Sequence, residues 1–209
     1  MTVSSPTILA FDTSGKHCAA ALMVRGDLVA SRFEPMDRGQ AERLLPLLEE
    51  VLAGASTSWQ DLDAVGVGVG PGNFTGIRIS VSAARGLALA LGVPAIGVST
   101  FEIVAAHRYG MVSAGDWPGH IDIPGPRNTV YRQAFDARRP SGDPFVVTLD
   151  ANDTTDRIEP LGWHGGLLTA FIERTAEKFG RAEAPRPVPL YVRPADAAPP
   201  KDAGPLLLP

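Results

Sequence analysis

Cysteine and lysine are nearly missing from this chain: Cys18 stands alone, and three lysines face sixteen arginines. A single cysteine excludes an intramolecular disulfide and any zinc site built from clustered thiolates. Cys18 also lies in a strand-like apolar run, where a thiol is buried and inert. The histidines, His17, His107, His120 and His164, contain no helical i, i+4 pair, and none sits in a carboxylate ligand motif. That spacing argues against a metal centre. No Gly-x-Ser-x-Gly elbow is present. No uninterrupted apolar run approaches the ~18 residues of a membrane span, and Met1 to Pro6 does not read as a signal peptide. A cytoplasmic location without membrane contact is the expectation. The net charge of −4 argues against strong nucleic-acid binding by the chain's own surface, but not against a nucleic acid held mainly by a partner. With no nucleophile–base pair in view, the residues suggest a fold that supports an activity carried elsewhere.

What is present is an ordinary globular composition, 209 residues with 44% hydrophobic and 20% charged side chains, enough for one large core or two small ones. Strands are expected at Thr7–Asp12, Ala19–Val24 and Leu28–Phe33, with short turns that imply antiparallel pairing. Asp37-Arg38-Gly39-Gln40 has capping-box spacing ahead of a helix to about Ala53, with Leu44, Leu48, Val51 and Leu52 on one face and a proline, Pro46, inside. Ser58-Trp59-Gln60-Asp61 reads as a cap for a short turn. The alternating run Val65–Gly70, a helix over 74–91, a strand Ala95–Val98 and a capping box at Ser99–Glu102 complete an order β-β-β-α-β-α-β-α, which suggests a mixed sheet covered on both faces. Beyond Tyr109, strands at 119–124, 129–137 and 144–149 suggest a meander, and a helix follows over Leu167–Phe179. The stretch from Pro185 holds eight of the nineteen prolines. It reads as an extended arm around Val188–Val192, with disorder beyond. The divisions expected are a first lobe over 1–109, a shortened second lobe over 110–193 and a proline-rich tail over 194–209.

The segment Gly70-Pro71-Gly72-Asn73-Phe74-Thr75-Gly76-Ile77-Arg78 is the most distinctive. A strand, a glycine turn and a helix start present unpaired N–H groups, which can hold an anion. The same glycines allow a helix to pack tightly on a sheet. Without a P-loop lysine, packing is the better reading. Asp12-Thr13-Ser14-Gly15 has a similar duality: a hairpin turn with Asp12 bonding backbone N–H groups, or a nucleotide site made of Asp12, Thr13, Gly70 and Gly72. The turn explains the residues. From Phe74 to Leu91 only Arg78 and Arg85 are charged, so the helix needs cover on every side. One side lies on its own sheet; the other takes the helix over 40–53, a partner chain, or both.

Ile8-Leu9-Ala10-Phe11-Asp12-Thr13-Ser14, Leu44-Leu45-Pro46, the Gly70–Arg78 segment, Gly86-Leu87-Ala88, Pro94–Ser99 and Pro189-Leu190-Tyr191-Val192-Arg193 together resemble the bacterial TsaB (YeaZ) family. The likeness is dense over 7–106 and sparse afterwards. It implies an α/β, actin-like (ASKHA) fold of two RNase H-like lobes with mixed sheets, the second shortened here. It implies a non-catalytic subunit in the formation of N6-threonylcarbamoyladenosine beside the tRNA anticodon. The implied partners are a TsaD-like catalytic subunit, a TsaE-like ATPase and, through the complex, tRNA. No cofactor or metal of its own is implied; ATP and Mg would belong to the complex. Family pairing uses first-lobe helices, which carries the interface to Leu44, Leu48, Leu52, Ile77, Val81 and Ala84. An isologous homodimer could use the same helices. The chain departs from the family in reading Arg38-Gly39-Gln40 where a histidine is usual, and Asn73 where a serine is. Its second lobe reads Ile121-Asp122-Ile123-Pro124 and Thr129-Val130-Tyr131 in place of Asp-Ala-Arg and Glu-Val-Tyr, and a strand–helix portion before Leu167 is missing. Competing readings are a stand-alone actin-like ATPase or sugar kinase and, last, a glycopeptidase.

Overall fold

A computed structural model describes residues 5–110, 119–136, 138–150, 166–181 and 185–193. The strands are β1 Ile8–Asp12, β2 His17–Val24, β3 Asp27–Pro35, β4 Ala64–Gly68, β5 Ala95–Val98, β6 His120–Pro124, β7 Thr129–Asp136 and β8 Arg139–Thr148. The helices are α1 Gln40–Gly54, α2 Phe74–Leu91, α3 Thr100–Tyr109 and α4 Gly166–Gly180. The first five strands form one mixed sheet in the order β3-β2-β1-β4-β5, antiparallel across β1–β2–β3 and parallel across β1–β4–β5. The last three form the expected antiparallel meander. The fold is therefore mixed α/β with two sheet-containing lobes. Residues 151–165, where the missing strand–helix portion would fall, and the tail 194–209 lie outside the described residues.

Every residue of β1 is buried, as a central strand covered on both faces requires. Leu9, Phe11, Leu22, Val65 and Val67 meet α1 and α2 on one face. Ile8, Ala10, Ala21 and Ile96 meet α3 and α4 on the other, and Ile121, Ile123 and Phe135 of the meander join that same core. Hydrophobic packing is thus continuous across residue 110. The glycines of β4 belong to this second face: a Cβ at Gly66 would collide with Ala10 and with Thr175 of α4. Close approach of helix to sheet accounts for the glycine alternation there.

Two helix starts differ in chemistry. α2 is capped by Asn73, whose Oδ1 accepts from the Gly76 N–H at 2.9 Å. α1 does not form the expected capping box; its N-cap is Gly39 at φ 94°, with no side-chain cap. Asp37 instead pairs with Lys16 at 2.8 Å, and the Gln40 amide donates to the Met36 carbonyl. Pro46 is accommodated inside α1 on its exposed side.

A buried ion cluster fastens α4 to α3. Glu102 closes the α3 capping box with Ser99 and accepts from Arg174 at 3.2 Å and from Lys178 at 3.0 Å. Burial opposes its charge. Lys178, the Ser99 N–H and Arg174 outweigh burial and hold the carboxyl below its ordinary range. A depressed carboxylate stabilises the fold above its unfolded pKa, about 4.3, and that contribution disappears as pH falls through the folded value. Glu102→Gln should therefore cost roughly 2–3 kcal/mol at pH 7 in urea unfolding. The gap from wild type should narrow below about pH 4, and a gap independent of pH would contradict the charged arrangement.

Candidate functional site

The Gly70–Arg78 segment is clamped from three sides. The Asn73 N–H donates to the Ser14 carbonyl at 2.6 Å, and the Thr13 hydroxyl donates to the Gly76 carbonyl at 2.7 Å. The Thr100 N–H donates to the Gly70 carbonyl at 2.8 Å, and the Thr100 hydroxyl to the Pro71 carbonyl. A Cβ on Gly72 would run into the Ser14 carbonyl, and one on Gly76 into that of Thr13. Gly70 sits at φ 92°, in the left-handed region. The structure brings Asp12, Thr13, Gly70 and Gly72 into one locality, but the β1 turn and the glycine loop touch there.

Asp12 is fully buried. Its Oδ1 accepts from the Ser14 N–H at 2.8 Å, from the Ser14 hydroxyl at 2.9 Å, and pairs with His17 Nε2 at 2.8 Å. Its Oδ2 is buried against Gly68 and has no hydrogen-bond partner. The His17 ring lies under Gly15 and tilts against Phe33. Oδ1 thus holds the turn, as the simpler of the two readings of Asp12 expects, while Oδ2 makes no bond in it. Burial, then the Glu34 carboxylate, push the Cys18 thiol up to about 12, in keeping with an inert sulfur. Among the described residues no three His, Cys, Asp or Glu side chains gather as a metal site.

The arm over 185–193 seats on this same loop. The Leu190 N–H donates to the Val69 carbonyl at 2.8 Å, and Pro187 is buried against Gly97. Tyr191 stacks on Phe74 with centroids 4.9 Å apart, and its hydroxyl accepts from Arg78 Nε at 2.9 Å. The Arg78 guanidinium lies 3.8 Å over the Phe74 ring, a cation–π arrangement. The two motifs, 113 residues apart at Arg78 and Tyr191, thus form one structure, with the arm running from the C-terminal end of α2 to its first turn. The sequence marks an extended arm but carries no signal for where it docks.

The six interface residues read from the sequence need correction. Leu44, Leu48, Leu52, Ile77, Val81 and Ala84 are all buried in the chain's own core. Periodicity identifies the most apolar stripe of each helix, and that stripe packs on the sheet. What faces outward is a second, less conspicuous surface. On α1 it includes Leu45, 48% exposed; on α2 it is Thr75, Arg78, Ser82, Gly86 and Leu89, the last 77% exposed. By length and composition α2 could cross a membrane, because Arg78 and Arg85 are its only charged residues. In this fold its inner side is part of the core.

The family model for tRNA N6-adenosine threonylcarbamoyltransferase, TsaD, matches residues 34–193. The chain belongs to the TsaD family. It is 43% identical to TsaB of Escherichia coli, a tRNA threonylcarbamoyladenosine biosynthesis protein, over 98 residues, covering 47% of this chain and 42% of that one. It is 31% identical to the tRNA N6-adenosine threonylcarbamoyltransferase of Moorella thermoacetica, covering 87% of this chain and 57% of that one. The chain spans about half the length of the curated relatives it matches. Among solved structures, YeaZ of Pseudomonas aeruginosa superimposes with a TM-score of 0.64 at 26% identity, over 87% of this chain and 95% of that one. A second Pseudomonas aeruginosa structure, described as similar to peptidase YEAZ, gives 0.69 at 26% identity, over 90% and 100%. Within the TsaD family the chain is homologous to the bacterial TsaB (YeaZ) proteins.

Proposed function

We propose that the chain is a TsaB-type accessory subunit, without catalysis of its own. It activates a TsaD-like threonylcarbamoyltransferase that forms N6-threonylcarbamoyladenosine beside the tRNA anticodon. The observation that carries this reading is the outer surface of α2. A helix with Leu89 four-fifths exposed, and small side chains along the same side, offers close approach to another helix. The TsaB type is favoured over the transferase type by identity, 43% to the Escherichia coli TsaB against 31% to the Moorella transferase, and by the YeaZ structure, which superimposes over 95% of its length. The strand order of the first sheet supports an RNase H-like first lobe. Asp12, tied into its own turn, counts against a stand-alone kinase. In this reading the TsaE-like ATPase, ATP with Mg, and the tRNA join the cytoplasmic complex rather than bind this chain alone.

Mixing the chain with its own organism's TsaD-like protein should give a one-to-one heterodimer by light scattering on a sizing column. Mg-ATP should leave the melting temperature of the isolated chain unchanged. Two non-interacting species, or a rise in melting temperature with Mg-ATP, would count against the reading.

A further inference from the structure

No aspartate or glutamate occurs between Asp63 and Glu102, nor anywhere in 185–193, although the chain as a whole is net acidic at −4. The first stretch comprises β4, α2 and β5; the second is the docked arm. Together they carry Arg78, Arg85, Arg186 and Arg193. Arg78 is engaged with Phe74 and Tyr191. Arg85 and Arg186, both exposed, take part in no ion pair among the described residues. They flank a cleft of about 400 Å³ between the C-terminal half of α2 and the arm, walled by Ala88, Leu89, Val93 and Pro187. The cleft exists because the arm is docked, with Pro187 on Gly97 and Leu190 on Val69. On the neighbouring helix α1 the exposed charges are of the opposite sign, Glu42, Glu49 and Glu50.

We infer that this cleft receives a carboxylate side chain from an apolar helix of the TsaD-like partner, held between Arg85 and Arg186. The inference rests on the proposed function and names the chemistry of the partner's surface. Two uncommitted guanidiniums over an apolar floor fit a carboxylate at the edge of an apolar contact, where planar bidentate pairing favours arginine. Leu89, beside them, adds exposed apolar surface that a protein helix would cover and a phosphate backbone would not. A protein helix is therefore favoured over RNA, whose binding grows with the number of cations brought to phosphates. Arg186 becomes a specificity residue outside the two helices, and docking of the arm becomes a condition of partner recognition. Charge of this kind sets register and partner choice more than bulk affinity.

The test is the dissociation constant for the TsaD-like partner, measured with Arg85→Glu, Arg186→Glu and the double variant at 50 and 300 mM salt. Arg32→Glu, on β3 at the far edge of the sheet, is the control. These positions are exposed, so the variants should fold with wild-type melting temperatures. Each reversal should weaken the heterodimer on the order of tenfold at low salt and less at high salt, with Arg32→Glu unchanged. Wild-type affinity in the double variant would overturn the inference and leave the proposed function standing; absence of any wild-type heterodimer would overturn both. Loss of labelled-tRNA binding by the isolated double variant, with partner affinity intact, would overturn it in favour of RNA. Loss of self-association alone would overturn it in favour of a second copy of this chain.

Discussion

Gly76→Ala should remove a large part of the chain's stability, on the order of 4 kcal/mol. The added Cβ meets the Thr13 carbonyl, which is backbone and cannot swing aside. Relief requires the first turn of α2 to lift from the β1 turn. That breaks the bond from the Thr13 hydroxyl to Gly76 and the bond from the Asn73 N–H to Ser14. Overpacking costs about 1–3 kcal/mol, and each lost buried hydrogen bond adds about 1. Against a total of about 5–15 kcal/mol, the urea midpoint should fall by more than about 1 M. Gly86→Ala on the same helix is the contrast. Its Cβ would meet nothing within 4 Å, and replacing a mid-helix glycine should stabilise by about 0.5–1 kcal/mol. Equal urea midpoints for the two variants would show that the glycine loop and the β1 turn are not in contact.

Leu89→Arg should abolish partner binding without affecting the fold. The side chain is 77% exposed, so unfolding free energy should stay within about 0.5 kcal/mol of wild type. If α2 is the centre of the heterodimer, a charge there should weaken association by about 100-fold or more, the scale of an interface hot spot. Val81→Arg behaves in the opposite way, because Val81 is 2% exposed and packs in the core. It should unfold the chain before any partner is added, since an unpaired buried charge costs several kcal/mol. Titration of each variant with the partner, alongside a thermal melt, separates the two outcomes. Retained binding by a folded Leu89→Arg protein would move the interface elsewhere.

The contrast between Leu89 and Val81 also explains how much was legible in the sequence. Element order, the central buried strand and the glycine packing follow from alternation and turn chemistry, because those signals are local. Helical periodicity locates the more apolar stripe of α1 and α2, and the sheet claims that stripe first. The outer surface, built from Thr75, Ser82, Gly86 and Leu89, repeats with the same helical spacing but is mostly small or polar, so no apolar stripe marks it, and the six residues carried over from the family resemblance lie in the core. The start of α1 failed for another reason. Asp37 had a competing cation in Lys16, and Gly39 reaches a left-handed cap without any side chain. The seat of the arm on Val69, Phe74 and Arg78 depends on a contact across 113 residues of sequence, where composition carries no information. What the sequence does show there is the tyrosine and the arginine, one in each motif, that meet in the folded chain.

The decisive measurement is threonylcarbamoyl transfer to unmodified tRNA by the organism's TsaD-like protein with its TsaE-like ATPase, threonylcarbamoyl-adenylate and ATP, with and without this chain. Modification that depends on the chain, saturates at one equivalent per TsaD-like subunit and is lost with Leu89→Arg is the expected result. Modification at the same rate without the chain, or by the chain alone, would contradict an accessory subunit.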